Sequence, residues 1–314
     1  MRISLLCTPS TLPTATWMGC ELISRGHSVD DPASIAPHAG AAAATGHQLA
    51  DRWAGERPDV ALALGWEAAL SAHVGARLVE IPVVIRLSGA GREPGSDRDR
   101  LELALARGTR RVLVPSVGEL DRLVDRGVRR SVLGVLPEAV DRREFVDMDA
   151  ELPTGAGHRV AVARPDGQDD HHSAGTTPGR RGATAYEIVP VRGDGPAAQL
   201  ADQLRSVHAM VLTGDSDAEV ALALRAMSCA VPIVALATGT LTDIVADRVT
   251  GVLVHRASDI PAALRSLLVD PLGRQGMGLA AVDRVRARFD TGVVGATLEA
   301  VLLEALPRHV AVAS

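Results

Sequence analysis

Lysine and asparagine are both absent from the 314-residue chain, so arginine supplies all of its fixed positive side-chain charge. A phosphate contact that would use a lysine must therefore be made here by arginine or by backbone N–H groups. Acidic residues outnumber basic ones by 38 to 33, and the formal net charge of −5 argues against a nucleic-acid partner, which would need a basic face. The dominance of Ala, Val, Leu, Gly and Asp indicates a very GC-rich genome, as in actinobacteria.

The chain also has no long apolar run and no basic leader followed by an apolar core. We therefore expect a cytoplasmic protein without a transmembrane segment, although peripheral association with a membrane or with a partner protein stays open. Cysteine is scarce, and Cys7, Cys20 and Cys229 lack metal-ligand spacing. They are predicted to be reduced packing residues, and neither a metal site nor a catalytic thiol is expected.

A chain of 314 residues is about twice as long as a typical domain, which predicts two domains. The first elements are a strand at residues 2–7 and a helix at residues 17–25 that ends at Gly26. Apolar strands beginning near Val60, Ile81 and Val112 follow, with helical stretches between them. The simplest construction from this order is a parallel βαβ arrangement.

The most informative stretch is residues 225–254, which predicts a helix, a buried strand, a loop and a second strand. Val231 and residues 233–236 form the apolar strand, and Thr238-Gly239-Thr240 follows it. Ligands of open α/β sheets bind beyond the carboxyl ends of such strands. Gly239 can bring its N–H close to a phosphate, and a short helix at residues 240–245 would favour an anion at its N-terminus. An ordinary turn glycine is the alternative.

Residues 225–236, RAMSCAVPIVAL, and the turn that follows resemble retaining glycosyltransferases of family 4. That family has Glu-Ala-Met-Ala-Cys-Gly, then Val-Pro-Val-Val-Ala, then Gly-Gly-Leu-Pro-Glu. Further matches occur in order at residues 57–60, at residues 135–145, which resemble "vvPNGVDldrF", and at Arg288-Phe289, which resembles "erF". The resemblance implies the GT-B architecture, in which two Rossmann-like domains with parallel sheets face a cleft. Residues 1–150 would form the acceptor-side domain, residues 151–290 a contracted nucleotide-sugar domain, and residues 291–314 a helix crossing back to the first domain.

The resemblance also implies a donor site. Arg164 matches an arginine that, together with a lysine, holds the donor's diphosphate and stabilises charge on the leaving group. Asp217 and Arg225 fall on the family's two acidic positions, eight residues apart. The expected substrate is a nucleotide diphosphate sugar, with no cofactor beyond this donor and no metal. The predicted catalytic residues are Arg164 and Asp217, and the predicted nucleotide-sugar contacts are Arg225, Gly239, Thr240, Leu241, Ser88 and Gly89.

Several family features are replaced. Leu62 and Leu64 stand where the family has His-Ala-His, and Ser88-Gly89 stands where it has His-Gly. Residues 10–16 take the place of a glycine-rich acceptor loop. Residues 169–172, Asp-Asp-His-His, lie in a polar stretch at 166–183 and are predicted to be a solvated loop rather than a metal site, because the ligand spacing is wrong.

Three functions remain open. The first is a glycosyltransferase that moves a hexosyl group from a nucleotide diphosphate sugar to an unknown acceptor with retention, through a weakened or altered donor site. The second is a silent relative that acts as a binding or stabilising partner of another enzyme. The third is another enzyme of the same architecture, such as a sugar-nucleotide epimerase, for which no dedicated acid and base pair is found.

Overall fold

The computed structural model describes residues 1–34, 39–88, 94–145, 157–163, 186–193 and 195–307. Its contacts divide the chain into two compact units. Unit 1 comprises Met1–Pro137 and Thr291–Ser314, and unit 2 comprises Glu138–Asp290. The division falls after Pro137 rather than at the expected residue 150, which lies outside the described residues.

Unit 1 contains a seven-stranded parallel sheet. The strands follow the order β2-β1-β4-β5-β6-β7, and β3 also pairs with β1. The strands are β1 (Arg2–Cys7), β2 (Ser28–Val29), β3 (Ala33–Ser34), β4 (Val60–Leu64), β5 (Val83–Arg86), β6 (Arg111–Val114) and β7 (Leu133–Val135). The helices of residues 1–137 are α1 (Leu12–Ser24), α2 (Ala39–Gly55), α3 (Trp66–Val79), α4 (Asp97–Gly108) and α5 (Val117–Asp125).

Unit 2 contains a five-stranded sheet in the order β12-β11-β10-β8-β9, and all of its pairings are parallel. The strands are β8 (His158–Ala163), β9 (Tyr186–Val191), β10 (Ala209–Leu212), β11 (Ile233–Leu236) and β12 (Gly251–Val254). The helices are α6 (Ala197–Arg205), α7 (Asp217–Ser228), α8 (Leu241–Ile244), α9 (Ile260–Val269) and α10 (Pro271–Arg288), and α11 (Thr291–Ala305) then lies in unit 1. The predicted α/β class with parallel sheets in both halves is confirmed.

The strands are buried on both faces because helices cover each sheet, which explains their continuous apolar runs. All five residues of β4 and all four residues of β10 are buried. Each leucine or valine buried in this way contributes about 1.5–3 kcal/mol relative to an exposed side chain. Val140 and Phe145 belong to the core of unit 2, together with Met210 and Leu222. Their packing explains why the division between the units falls before residue 138.

The alanine-rich segment after β3 forms α2, which packs closely on α3. A Cβ on Gly75 would lie 2.8 Å from the Gly46 carbonyl oxygen and 3.0 Å from the Trp53 ring. Glycine at this contact therefore lets the two helices approach. Directly after Gly26 and His27, Ser28–Val29 forms a short strand that pairs with β1 over two residues.

Candidate functional site

The candidate site in unit 2 lies at the carboxyl edge of its sheet, where β10 and β11 end side by side. Both strands are apolar, so the first polar groups lie in the loops that follow them, residues 213–216 and 237–240. Parallel strands bring their carboxyl ends to the same edge, which is where α/β proteins bind ligands. The loop that precedes α7 and the Gly239 turn are therefore neighbours.

Gly239 has the left-handed φ of +42°. The Asp215 carboxylate lies where a Cβ on residue 239 would be, so the backbone conformation favours glycine and any other residue would require the Asp215 side chain to move. Within the part of the chain that the structure describes, no acceptor receives the N–H groups of Gly239 and Thr240. Thr240 is 7% exposed and Leu241 is fully buried, so Leu241 anchors the turn in the core rather than presenting a side chain to a ligand.

The helix expected after this turn is only one turn long, Leu241–Ile244. Because so few peptide dipoles align in this helix, its macrodipole would add little to anion binding. The expected anion site at a helix N-terminus is therefore reduced to the individual N–H groups of the Gly239 turn. Arg284 holds the far end of this helix. Its Nε donates to the Ile244 carbonyl at 2.7 Å and its Nη2 to the Asp243 carbonyl at 2.6 Å. Burial lowers the pKa of Arg284, and Arg288 acts in the same direction.

The loop before α7 is held by a capping box. The Ser216 hydroxyl accepts from the Glu219 amide, and the Glu219 carboxylate accepts from the Ser216 amide at 3.4 Å. The same carboxylate also accepts from the Gly214 amide at 2.9 Å. Asp217 is exposed in the first turn of this helix. Asp215, which contacts Gly239, was not identified from the sequence. The sequence feature that could have identified it is the series of acidic residues Asp215, Asp217 and Glu219, which comes soon after a buried strand.

Arg225, predicted as an anion contact, makes contacts within unit 2. Its Nη1 donates to the Gly193 carbonyl at 2.8 Å, and its guanidinium lies 5.9 Å from the centre of the Phe145 ring. Burial lowers the pKa of Arg225, while Glu144 and Glu138 act in the opposite direction. Gly193 follows β9, which is three strand positions from β11, about 14 Å at the spacing of neighbouring strands. The structure brings the loop before α7 and the Gly239 turn together. It leaves the Arg225 guanidinium at another part of the carboxyl edge of the sheet.

In unit 1, Leu62 and Leu64 are fully buried in β4 and belong to the core. Ser88 follows β5 and is 9% exposed, and Gly89 lies outside the described residues. Arg86, at the end of β5, is only 5% exposed and was missed by sequence reasoning because the strand around it is otherwise apolar. Its backbone carbonyl accepts from the Gly65 amide at 2.9 Å, which starts the turn into α3.

A group of acidic and basic side chains lies on α3 and α4 near the carboxyl edge of the unit 1 sheet. Arg98 donates to the nearly buried Glu102 at 3.0 Å. Glu67, in the first turn of α3, has its pKa raised by burial and by the charge of Glu102, while the Arg98 charge opposes this. The fully buried Asp99 accepts from Arg126 at 2.8 Å and from the Gly95 amide at 2.9 Å. Glu67 follows a Gly-Trp pair after a buried strand, which could have identified it in the sequence.

Arg164 and the whole 166–183 segment, including the Asp169–His172 run, lie outside the described residues. Among the residues with described positions, no three His, Cys, Asp or Glu side chains are grouped as a metal would require. The described helices include none that is both long enough and apolar enough to cross a membrane.

Comparison with known proteins identifies relatives for parts of the chain. A D-inositol 3-phosphate glycosyltransferase of Kribbella flavida is 39% identical over 93 residues, which are 29% of this chain and 22% of that protein. The protein of the same description from Paenarthrobacter aurescens is 29% identical over 195 residues, 59% of this chain and 47% of that protein. The matches thus span less than half the length of these curated relatives. No family model matches the chain.

Solved structures share the fold over nearly the whole chain. The Anabaena protein HepE in complex with UDP-glucose matches with a TM-score of 0.74 at 13% identity, covering 97% of this chain and 100% of that one. Sucrose-phosphate synthase of Thermosynechococcus elongatus matches with a TM-score of 0.73 at 15% identity, covering 97% and 98%. At these identities the similarity shows the fold alone. Together with the partial sequence matches, it makes the chain a divergent relative of the family 4 glycosyltransferases with the GT-B fold.

Proposed function

We propose that this protein transfers a hexosyl group from a nucleotide diphosphate sugar to an acceptor with retention, through a donor site that is altered relative to its family. The observation that carries the proposal is the turn after β11. Gly239 and Thr240 present two consecutive N–H groups at the carboxyl edge of the unit 2 sheet, without an acceptor in the described part of the chain. Such groups suit the oxygens of a diphosphate.

The comparisons support a nucleotide sugar as the class of substrate. The Anabaena neighbour is described in complex with UDP-glucose, and the partial sequence relatives are described as D-inositol 3-phosphate glycosyltransferases. Bond cleavage leaves negative charge on the diphosphate, and fixed N–H donors and cations stabilise that charge. In the proposed site, Arg164 and the Gly239 turn hold the diphosphate and Asp217 faces the sugar. The donor is the substrate, and no separate cofactor is required.

The Asp215 carboxylate weakens this site. It contacts Gly239, so an approaching diphosphate meets a negative charge beside the two amides. Charges a few ångströms apart at a protein surface interact by a few kcal/mol. We therefore expect donor binding that is weak and sensitive to the charge of residue 215.

A silent relative is the second candidate, and Arg225 is the observation that favours it. Where the family it resembles has an acidic residue, which accepts hydrogen bonds, Arg225 offers only donors. Its guanidinium is directed to the Gly193 carbonyl and the Phe145 ring. A protein that retains the fold but not this contact could act by binding a partner enzyme instead.

Thermal-shift measurements with UDP, GDP and their sugars separate the two functions. A ligand present at about 100 times its dissociation constant stabilises the folded state by roughly 2.7 kcal/mol. We expect a shift with one nucleotide, an increased shift in Asp215→Asn, and slow donor hydrolysis that Arg164→Ala abolishes. Arg248→Ala is the matched control for Arg164→Ala, because it also removes one arginine, at a side chain that is 83% exposed. It should leave donor hydrolysis unchanged. A folded protein that no nucleotide stabilises would refute the transferase proposal.

A further inference from the structure

A cavity lies at the amino edge of the unit 1 sheet, where β5 and β6 begin. Its volume is about 420 Å³, and all of its lining residues belong to unit 1. They come from the end of α3, from residues 80–83 and 108–110, which precede or begin the two strands, and from the end of α11. Ligand pockets commonly have volumes of about 300–1,000 Å³. The cavity is therefore large enough for a small organic molecule, at the opposite edge of the sheet from Ser88.

The inner wall of the cavity is apolar. Ala76 and Ile81 line it and are each only 6% exposed. Pro82 and Ala305, which are partly buried, also line it. Apolar surface of this kind favours the nonpolar part of a ligand, because binding removes both surfaces from water.

Two exposed arginines, Arg77 and Arg110, line the same cavity. In the part of the chain that the structure describes, neither guanidinium has a hydrogen bond or an ion pair. The next residue, Arg111, is by contrast paired with Glu304. The cavity thus combines an apolar wall with two guanidiniums whose donors are available to a ligand.

The charge of the lining residues is positive. Glu80 is the one carboxylate among the described residues that line the cavity, and it forms no ion pair with either arginine there. Arg57 donates to the Glu80 backbone carbonyl at 2.9 Å, which places a further positive charge nearby. Two guanidiniums against one carboxylate favour an anionic ligand.

His73 is the remaining titratable group in the cavity wall, and it is partly buried. Burial lowers the pKa of His73, and the Arg77 charge acts in the same direction. The Arg77 guanidinium is therefore close enough to the ring to influence it. An anion bound to Arg77 would act on the ring in the opposite direction, so His73 can report on occupancy.

We propose that this cavity binds a phosphate monoester with an apolar body, at a site separate from the proposed donor site. Arg77 and Arg110 bind the phosphate, and the wall at Ala76 and Ile81 contacts the apolar body. A guanidinium can donate two parallel hydrogen bonds to a phosphate. A monoester carries a charge of about −1.5 to −2 at neutral pH and compensates both arginines, which a carboxylate of single charge does not. The proposal does not depend on the transferase function.

The test is calorimetry on the whole chain, including the residues that follow Pro307, with hexyl phosphate, inorganic phosphate and hexanol as probes. We expect hexyl phosphate to bind at least about tenfold more tightly than the other two, because only it uses both the charge and the apolar wall. Arg77→Gln and Arg110→Gln should each weaken its binding by about fivefold or more. Ala305→Phe keeps every charge and fills the cavity, so it should reduce binding of hexyl phosphate to the level of inorganic phosphate.

The matched control is Arg100→Gln, which removes an arginine from the same unit at a side chain that is 71% exposed. Arg100 lies on α4, about 12 Å along the helix axis from Gly108 at the cavity, and the variant should bind like the wild type. Urea midpoints check that all variants are folded. NMR should show that hexyl phosphate raises the pKa of His73, whose signal is assigned by its loss in His73→Gln, and that Arg77→Gln reduces this rise.

Phosphate monoesters occur both as soluble metabolites and as lipid phosphates. Sedimentation with phosphatidylcholine vesicles that contain phosphatidic acid, abolished by Arg77→Gln, would assign a lipid phosphate, whereas binding of hexyl phosphate without sedimentation would assign a soluble ligand. Equal affinity for hexanol and hexyl phosphate would overturn the proposal. So would the absence of binding by all three probes, or an equal loss of affinity in Arg77→Gln and Arg100→Gln. Since no nucleotide is present, failure of the donor site would not affect these results.

Discussion

Replacing Gly239 by alanine tests whether the turn after β11 is shaped as the structure shows. The substitution adds a Cβ to a residue with φ of +42°, a left-handed conformation that costs an L-residue about 1–2 kcal/mol. The added atom would also overlap with the Asp215 carboxylate. Overpacking typically costs about 1–3 kcal/mol. Asp215 is only partly buried and can rotate away, so the lower part of that range applies.

The expected destabilisation of unit 2 in Gly239→Ala is therefore about 2–3 kcal/mol, the sum of the backbone and contact costs. Urea unfolding followed by circular dichroism measures it. Tryptophan fluorescence reports unit 1, because all three tryptophans lie in residues 1–137, and it should change little. In an Asp215→Ala background, Gly239→Ala should cost only the backbone component, about 1–2 kcal/mol.

Gly26→Ala is the reference for the backbone component. Gly26 also has a left-handed φ, +85°, and a Cβ there would meet no atom within 4 Å. Its alanine variant should cost about 1–2 kcal/mol in unit 1. Two results would refute the reasoning: a cost below about 0.5 kcal/mol for Gly239→Ala, the size of an ordinary surface substitution, or the same cost with and without Asp215.

Three other substitutions test structural features of the two units. Arg225→Met should lower the free energy of unfolding by about 1–3 kcal/mol because the Gly193 carbonyl loses its donor. In the same urea titration, Arg248→Met should change this free energy little, because the Arg248 side chain is 83% exposed. Asp99→Asn should lower the free energy of unfolding by about 3 kcal/mol, the low end of the range for a broken buried pair, because its arginine partners reach water. An unchanged urea midpoint would contradict this. Burial, followed by the Arg274 charge, lowers the pKa of His158, so this group adds stability above about pH 6.5 that is lost as pH falls through its folded-state pKa. In His158→Phe, the urea midpoint should therefore change less between pH 8 and pH 5 than it does in the wild type.

The fold could be predicted because its signals are local. The runs of β10 and β11 are apolar throughout, and such runs between helical patterns predict a parallel sheet. The Gly239 turn was also predictable, since glycine after a buried strand indicates a close backbone approach. The position of Asp215 against Gly239 was not predictable, because it depends on which strands become neighbours.

The contacts of Arg225 show a second limit of prediction from sequence. Its spacing of eight residues from Asp217 places both on α7, but the spacing does not reveal what packs against the helix. Its partners, Gly193 and Phe145, lie 32 and 80 residues earlier in the chain. A sequence comparison assigns a helix position to a binding site, whereas burial and the nearest carbonyl decide whether the side chain reaches a ligand.

The absence of lysine gives these arginine contacts a functional consequence. Arg225 and Arg284 both donate to backbone carbonyls, and burial lowers the pKa of each. Substituting either one should therefore change the stability of unit 2 before it changes affinity for an anion. In the proposed donor site, the contribution of the described part of unit 2 to anion binding would then come from the amides of the Gly239 turn, whose orientation is set by the backbone. A change in that backbone should remove nucleotide binding from an active transferase and should leave the partner function of a silent relative unchanged.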